Sequence, residues 1–203
     1  MSETRVFIVR HGETDFNKKG LLQGRGIDAP LNNRGRKQAR SLAEYLVNYK
    51  ADGLAASSLQ RTWQTAEPFQ RQTNLKLIKN KNLDEMDFGS FEGAAYKDVA
   101  EDLNDIQNAW QQGDVALRIP GGESPEEVFS RANESVRSLI NSFNGHTLVC
   151  ILHGRLIRIL LSQWLGYGLQ NMHKIQHQNC AVNHLTVRDN TFKSIYLNKI
   201  SHL

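Results

Sequence analysis

The chain of 203 residues has little cysteine and no long apolar run. Its two cysteines, Cys150 and Cys180, form neither a CxxC pair nor a disulfide framework, so we expect a reduced interior. The first apolar run covers only residues 6–9, and no basic region precedes it, which argues against a signal peptide or a membrane span. We therefore expect a cytoplasmic protein that does not enter a membrane.

Clusters of basic residues are lacking as well. The 25 lysines and arginines are interleaved with 21 acidic residues, giving a net charge of +4. Nucleic-acid binding calls for basic residues grouped with aromatic ones along one element, so we expect no nucleic-acid partner and instead a surface that attracts small anions. Without repeats or low-complexity tracts, the length favours one domain over residues 1–203.

One stretch near the start organises the chain. Residues 6–9 indicate a buried parallel strand that ends at Arg10-His11-Gly12-Glu13-Thr14. A second copy of this pattern lies at residues 147–152, which run into His153-Gly154-Arg155. A single histidine at a strand end is usually a satisfied core or surface residue, but the duplication favours a site at the carboxyl ends of two strands.

The other patterns predict alternating strands and helices. Asn32 or Asn33 is expected to cap one helix, Ser57 or Ser58 another, and the box at residues 124–127 a third. Residues 86–122 are expected to form a small helical cap over the strand ends. Further strands are predicted at residues 53–58 and 75–78, and a final hairpin at residues 183–187 and 192–197.

Two polar features add candidate site residues. Arg61 falls in the first turn of a predicted helix, where a cation favours an anionic partner such as phosphate; a solvent-facing arginine is the alternative. Asp84, Glu85 and Asp87 are consistent with a metal site, a solvated acidic turn or one general acid. No histidine nearby in sequence strengthens the metal interpretation.

These motifs together resemble the histidine phosphatase superfamily, in its phosphoglycerate mutase-like branch. The resemblance spans almost the whole chain, and the combination is far more specific than any single motif. It rests on these residues: Arg10-His11-Gly12-Glu13-Thr14, Gln23-Gly24, Asp28, Pro30-Leu31, Gly35, Gln38-Ala39, Ser57-Ser58, Arg61-Thr62, Thr65-Ala66-Glu67, Glu85, Gly89, Glu92-Gly93, Gly122-Glu123-Ser124, His153-Gly154 and Ser201-His202-Leu203.

The resemblance implies a fold and a set of catalytic roles. The fold is an α/β, three-layer αβα sandwich around a mixed, mainly parallel sheet. His11 would be the nucleophile, Arg10, Arg61 and His153 would hold the phosphoryl group, and Glu85 would donate a proton. Neither a cofactor nor a metal is expected. To substrate binding we assign Asn17, Gln23, Gly24, Gly154 and Arg155.

The chemistry supports the same interpretation. Phosphoryl transfer needs in-line positioning and neutralisation of the negative charge on the equatorial oxygens, which two arginines and a histidine can supply without a metal. We therefore expect a metal-independent phosphomonoester hydrolase that acts through a phosphohistidine on a small phosphorylated metabolite. Phosphoglycerate mutase and a non-catalytic phosphoester-binding module are the alternatives. Residues 86–122 contain only two cations, Lys97 and Arg118, which favours a phosphatase of the α-ribazole phosphatase type.

Two positions depart from the family pattern, and the sequence leaves other points open. Leu152 replaces a small hydroxyl residue, and Arg155 replaces a small or apolar one. Arg155 either extends to water or meets a second anionic group of the substrate or an acid of the cap. The physiological substrate is not indicated, and a homodimer is an open alternative to a monomer.

Overall fold

The computed structural model describes residues 2–203. It contains one six-stranded sheet made of β1 (Thr4–Arg10), β2 (Gly53–Ala56), β3 (Leu77–Lys79), β4 (Thr147–Leu152), β5 (Val182–Arg188) and β6 (Thr191–Lys199). The strand order is β3-β2-β4-β1-β5-β6. The first four strands run parallel, whereas β5 pairs antiparallel with both β1 and β6. The predicted mixed, mainly parallel sheet is confirmed.

Six α-helices connect and cover the strands. They are α1 (Asp15–Lys19), α2 (Asn33–Leu46), α3 (Gln60–Thr73), α4 (Ala100–Gln111), α5 (Pro125–Ser142) and α6 (Gly154–Trp164). Short 3-10 segments occur at Val47–Tyr49, Lys81–Leu83, Gly89–Phe91, Tyr96–Asp98 and Leu169–Lys174. No helix within residues 2–203 is both long and apolar enough to cross a membrane.

The sheet separates two apolar cores, because successive side chains of a strand point to opposite faces. On β1, Val6 and Ile8 pack with residues of α5 and α6, whereas Phe7 and Val9 pack with residues of α2 and α3. All four are fully buried, as expected for a central strand with helices on both sides. The predicted three-layer α/β arrangement is therefore confirmed.

The sequence predicted two helix N-caps and one hairpin turn that the structure contains. Asn32 caps α2, and Ser124 opens α5 with a complete capping box. Asp189 and Asn190 both have positive φ, 49° and 61°, which suits the two central residues of a tight hairpin turn between β5 and β6. These predictions are confirmed.

Other local predictions were wrong. Leu59, not Ser57 or Ser58, is the N-cap of α3, and no side chain caps that helix end. Ser57 instead faces the site, and Ser58 hydrogen-bonds to Asp84. The third strand begins two residues later and ends one residue later than predicted, and α1 was missed. Residues 86–122 are only partly helical, with α4 and two 3-10 segments.

Candidate active site

Two parallel strands bring the predicted histidines together. β1 and β4 pair with Arg10 opposite Leu152, so His11 and His153 follow at the same level. Their ring centroids lie 5.3 Å apart. Open α/β sheets bind ligands at the carboxyl ends of strands where the strand order changes, and β1 and β4 end at such a point.

The His11 ring is held in one tautomer. The residue is only 3% exposed, and its Nδ1 lies 2.7 Å from the carbonyl oxygen of Gly12. A carbonyl can only accept, so Nδ1 carries the proton and Nε2 keeps its lone pair. Burial, followed by the charges of Arg61 and Arg10, holds the pKa of His11 well below its usual value. His11 thus offers a neutral, unprotonated nitrogen, the form that a nucleophile requires.

Glycine is required beside this histidine. The Gly12 N–H donates to Oγ1 of Thr65 at 2.9 Å, which fixes the loop against α3. A Cβ atom at Gly12 would lie 2.7 Å from the backbone oxygen of Gly35 in α2. A side chain here would displace α2 or the His11 backbone.

His153 lies behind His11 and is fully buried. Its Nδ1 accepts from Nε of Arg61 at 3.2 Å, so its Nε2 carries the proton and donates to Oγ of Ser57 at 2.7 Å. Burial, followed by the charge of Arg61, lowers the pKa of His153 well below its usual value. Both ring nitrogens are therefore engaged within the protein, and His153 orients Arg61.

The Arg61 guanidinium is completely buried. It donates to the carbonyl oxygens of Ile27 at 2.7 Å and Gly24 at 3.1 Å. Burial lowers the pKa of Arg61 to about 10, although Glu85 opposes this, so the group stays charged at neutral pH. The alternative of a solvent-facing arginine is wrong.

The Glu85 carboxylate caps the N-terminus of α6. Its Oε1 accepts from the N–H groups of Met86 and Leu156, both at 2.9 Å, and its Oε2 accepts from the Arg155 N–H at 3.0 Å. His153 occupies the N-cap position but makes no side-chain capping bond, so Glu85 supplies the missing acceptor. These three donors fix the carboxylate in the wall of the site.

The neighbouring carboxylates, Asp84 and Asp87, accept hydrogen bonds from other parts of the chain. Asp84 accepts from the backbone N–H and the hydroxyl of Ser58, and Asp87 accepts from the N–H of Gly89. Of the three, only Glu85 lines the cavity. Within the described part of the chain, no group of three or more His, Cys, Asp or Glu side chains is arranged to hold a metal ion.

Arg131 of α5 anchors the segment that carries Glu85. Its guanidinium donates to both carboxylate oxygens of Glu123, at 2.7 and 2.8 Å. It also donates to the carbonyl oxygens of Asn82 at 2.8 Å, Asp84 at 2.9 Å and Glu85 at 3.0 Å. Burial alone would raise the pKa of Glu123, but Arg131 lowers it overall. Both partners thus remain charged.

A cavity of about 190 Å³ opens in front of His11. Seven of the ten predicted site residues line it; Arg61, His153 and Gly24 lie outside its wall. Arg61 and His153 pack behind His11, and the Gly24 carbonyl accepts from Arg61. The lining residues are Arg10, His11, Asn17, Leu21, Leu22, Gln23, Glu85, Phe88, Gly154, Arg155, Arg158 and His177.

Two donors in this wall are buried without a hydrogen-bond partner among residues 2–203. They are Nε of Arg10 and Nε2 of Gln23. The Gln23 amide is oriented by Thr14, whose hydroxyl donates to its Oε1 at 2.8 Å. Burial lowers the pKa of Arg10 to about 10, although Glu85 opposes this, so its guanidinium is charged. Unsatisfied buried donors are costly, and two of them beside His11 suit the oxygens of an anion.

Sequence reasoning missed five of the twelve lining residues, and two of these, Arg158 and His177, carry polar side chains. Arg158 lies one turn after Arg155 on α6, and this i, i+3 spacing was the available signal. His177 lies in the loop before β5 and touches the site only through the tertiary fold. Its Nε2 lies 2.7 Å from Nε of Arg158 and its Nδ1 3.2 Å from Nη1 of Arg10. Burial and these charges lower the pKa of His177 to about 2, so it is neutral.

A larger cleft of about 510 Å³ shares Arg10 and His177 with this cavity. It extends toward α2 and the last residues of the chain, and its wall contains neither His11 nor Glu85. His11 and Glu85 line the smaller cavity, which is therefore the candidate active site.

Comparison with known proteins identifies the family. Residues 6–200 match the histidine phosphatase superfamily, branch 1. The chain belongs to this superfamily. The predicted family and the predicted class of enzyme, a histidine phosphatase, are confirmed.

Several relatives resemble the chain over nearly its full length. A protein of Hydrogenobacter thermophilus named "Putative phosphoserine phosphatase 2" is 29% identical over 98% of this chain and 97% of its own. "Probable phosphoglycerate mutase GpmB" of an Enterobacter species is 29% identical over 91% of this chain and 86% of its own. The structure of mycobacterial glucosyl-3-phosphoglycerate phosphatase Rv2419c with VO3 superposes with a TM-score of 0.87, at 26% identity, over 97% and 99% of the two chains.

Removal of the Arg131 anchor should destabilise the protein. We expect Arg131→Met to lower the free energy of unfolding by about 2–3 kcal/mol, because the Glu123 carboxylate loses the partner that binds both of its oxygens and keeps, as a cationic partner, only the longer contact to Arg25 at 3.4 Å. Denaturant unfolding followed by circular dichroism measures this. Arg71→Met is the matched control: Arg71 forms an exposed pair with Glu67, and its loss should cost less than about 1 kcal/mol. Equal losses in both variants would refute the anchoring role.

Proposed function

We propose that the protein hydrolyses phosphomonoesters of small metabolites through a phosphohistidine on His11, without a metal ion. The observation that carries this proposal is the fixed tautomer of His11, whose unprotonated Nε2 belongs to a cavity with unsatisfied donors of Arg10 and Gln23. The phosphatase names of relatives that match over nearly the whole chain support the same activity.

In the first step, Nε2 of His11 attacks phosphorus and the bond to the ester oxygen breaks. The Arg10 guanidinium and the Gln23 amide hold the equatorial oxygens, while the buried charge of Arg61 adds to the positive field. The leaving alkoxide takes a proton from Glu85.

In the second step, a water molecule attacks the phosphohistidine. Glu85, now a carboxylate, takes a proton from this water, the P–N bond breaks, and neutral His11 is restored with inorganic phosphate. General acid–base catalysis of this kind contributes typically ~10²–10⁴-fold. The backbone donors of α6 keep Glu85 in place for both transfers.

The positions of the cations bear on the choice between phosphatase and mutase. Lys97 of the cap is exposed, and Arg118 is bound to the carbonyl of Gly122 and the carboxylate of Glu127. The cap therefore contributes no cation to the cavity wall, which favours a phosphatase. Mutase activity is retained as a second candidate because Arg155 and Arg158 add positive charge from α6.

The decisive experiment measures two products from one enzyme preparation. With excess EDTA present, the protein should release phosphate from a panel of small phosphomonoesters at an unchanged rate. With 3-phosphoglycerate, phosphate should form faster than 2-phosphoglycerate. Loss of activity in EDTA that Mg²⁺ restores would contradict metal independence, and faster isomerisation than hydrolysis would establish the mutase.

Replacement of the nucleophile should abolish turnover. We expect His11→Ala to lower kcat by roughly 10³-fold or more, because no other group then forms the covalent intermediate. Wild-type enzyme quenched in alkali should carry an acid-labile, alkali-stable phosphate on His11 by mass spectrometry. His173→Ala, at an exposed histidine outside the cavity, is the control and should keep normal kcat. Phosphate found on any other residue would contradict the mechanism.

The proton-donor role of Glu85 makes a separate prediction. Glu85→Gln should slow hydrolysis of alkyl phosphates by about 10²–10⁴-fold, and of p-nitrophenyl phosphate much less, because nitrophenolate leaves without a proton. The measurement is kcat/KM for both substrates, with thermal unfolding to check the α6 cap. Glu101→Gln on the exposed face of α4 should change neither substrate. Equal losses for alkyl and aryl phosphates would remove Glu85 from this role.

A further inference from the structure

The cavity contains more positive charge than a phosphoryl group needs. Arg10 lines it and Arg61 lies behind it, and these two guanidinium groups match the two charges of a phosphate dianion. Arg155 and Arg158 line it as well, while Glu85 is the only carboxylate in the wall within residues 2–203. Since Glu85 is already engaged by three backbone N–H groups, two cations remain without an anionic partner in the wall.

Arg155 is held in place by aromatic rings. Its guanidinium carbon lies 5.6 Å from the ring centre of Trp110 and 6.0 Å from that of Phe88. Trp110 is itself fixed, because its indole N–H donates to the carbonyl of Leu117 at 2.8 Å. Arg155 therefore does not extend freely to water; the cap holds its planar group at the cavity wall.

Arg158 belongs to a group that lacks acceptors. The two nitrogens of His177 face Nε of Arg158 and Nη1 of Arg10, both of which only donate. A neutral imidazole accepts at one nitrogen and carries a proton at the other. The shorter contact, 2.7 Å, is to Arg158, which leaves the Nδ1–H of His177 facing a guanidinium N–H at 3.2 Å. An anionic oxygen at this point would accept from both.

We propose that Arg155 and Arg158 form a second anion subsite that binds a carboxylate of the substrate, with His177 as a positioning residue. This rests on the proposed function, because the subsite lies beside the phosphoryl position in the same cavity. The preferred substrate is thus a small phosphomonoester that also carries a carboxylate.

Size and geometry favour a carboxylate over a second phosphate. The cavity of about 190 Å³ suits one phosphoryl group on a short carbon chain better than a substrate with two phosphoryl groups. A planar carboxylate matches the planar fork of a guanidinium, and such pairs form strong, directional hydrogen bonds. Gly154 allows His177 to lie against the start of α6, since a Cβ there would lie 2.8 Å from Cε1 of His177.

The test compares two substrates that differ by one carboxylate. O-phosphoserine and O-phosphoethanolamine share the phosphate, the leaving oxygen and the amine. For the wild-type enzyme we expect kcat/KM at least about tenfold higher for O-phosphoserine, mostly through KM, consistent with one charge-assisted hydrogen-bonded pair. This comparison needs no variant and so does not depend on the folding of one. Fructose 1,6-bisphosphate, with a second phosphate in place of the carboxylate, should be a poorer substrate than O-phosphoserine.

Variants then assign the preference to the subsite. Arg155→Gln and Arg158→Gln should each reduce the ratio of kcat/KM between the two substrates by about tenfold or more. Arg40→Gln, an exposed arginine of α2, changes the net charge equally and should leave the ratio unchanged. A wild-type ratio near one, or a ratio unaffected by both variants, would overturn the subsite. Activity on both substrates without preference would leave the proposed hydrolase intact, whereas activity on neither, nor on an aryl phosphate, would refute the hydrolase itself.

Discussion

The pairing of β1 with β4 is the constraint on which the site depends. Because these strands run parallel with Arg10 opposite Leu152, each chain segment that follows emerges at the same edge and carries a histidine. β1 is apolar on both faces, so a slip of one residue would exchange the side chains of the two cores and would be strongly opposed. The separation of the two imidazoles is therefore determined by the packing of the sheet, not by flexible loops.

The position of the Glu85 carboxylate depends on a second set of interactions, which link the cap to the sheet. Glu85 is held from one side by the N-terminus of α6 and from the other by Arg131, which binds the carbonyl of Glu85 and the carboxylate of Glu123. The Glu123 carboxylate in turn accepts from the N–H of Asp87, at the start of the cap segment. One buried ion pair thus fixes the acid, the cap and α5 relative to one another.

The sequence was sufficient for the features that are local or repeated. The strand before His11 and its copy before His153 predicted the edge at which the site lies, and the capping box at Ser124 predicted the start of α5. The sequence did not predict side-chain contacts between residues that lie far apart along the chain. Ser57 looked like a helix cap because of its neighbours, but its hydroxyl is engaged by His153, which lies 96 positions later.

The same limit applies to the cations of the cavity. The sequence showed that Arg155 departs from the family pattern. It did not show that the Arg155 guanidinium lies over the ring of Trp110, because this contact depends on how α4 packs. His177 had no local signal, since it lies in an irregular loop and meets Arg10 across 167 positions. Leu152, the other departure from the family pattern, packs in the apolar core and does not line the cavity.

The concentration of guanidinium groups connects stability with binding. Burial and the neighbouring charge of Arg158 lower the pKa of Arg155 to about 10, so the empty cavity holds like charges at a cost to the fold. Aromatic rings and Glu85 offset only part of that cost, since Glu85 is shared with the backbone of α6. An anion that enters the cavity relieves the repulsion in the folded state alone, and it therefore stabilises the protein by an amount that grows with the ratio of its concentration to its Kd. Like charges held together in a protein interior are unfavourable and are typical of functional sites. Here the excess charge is positive, so the cavity favours an anionic ligand.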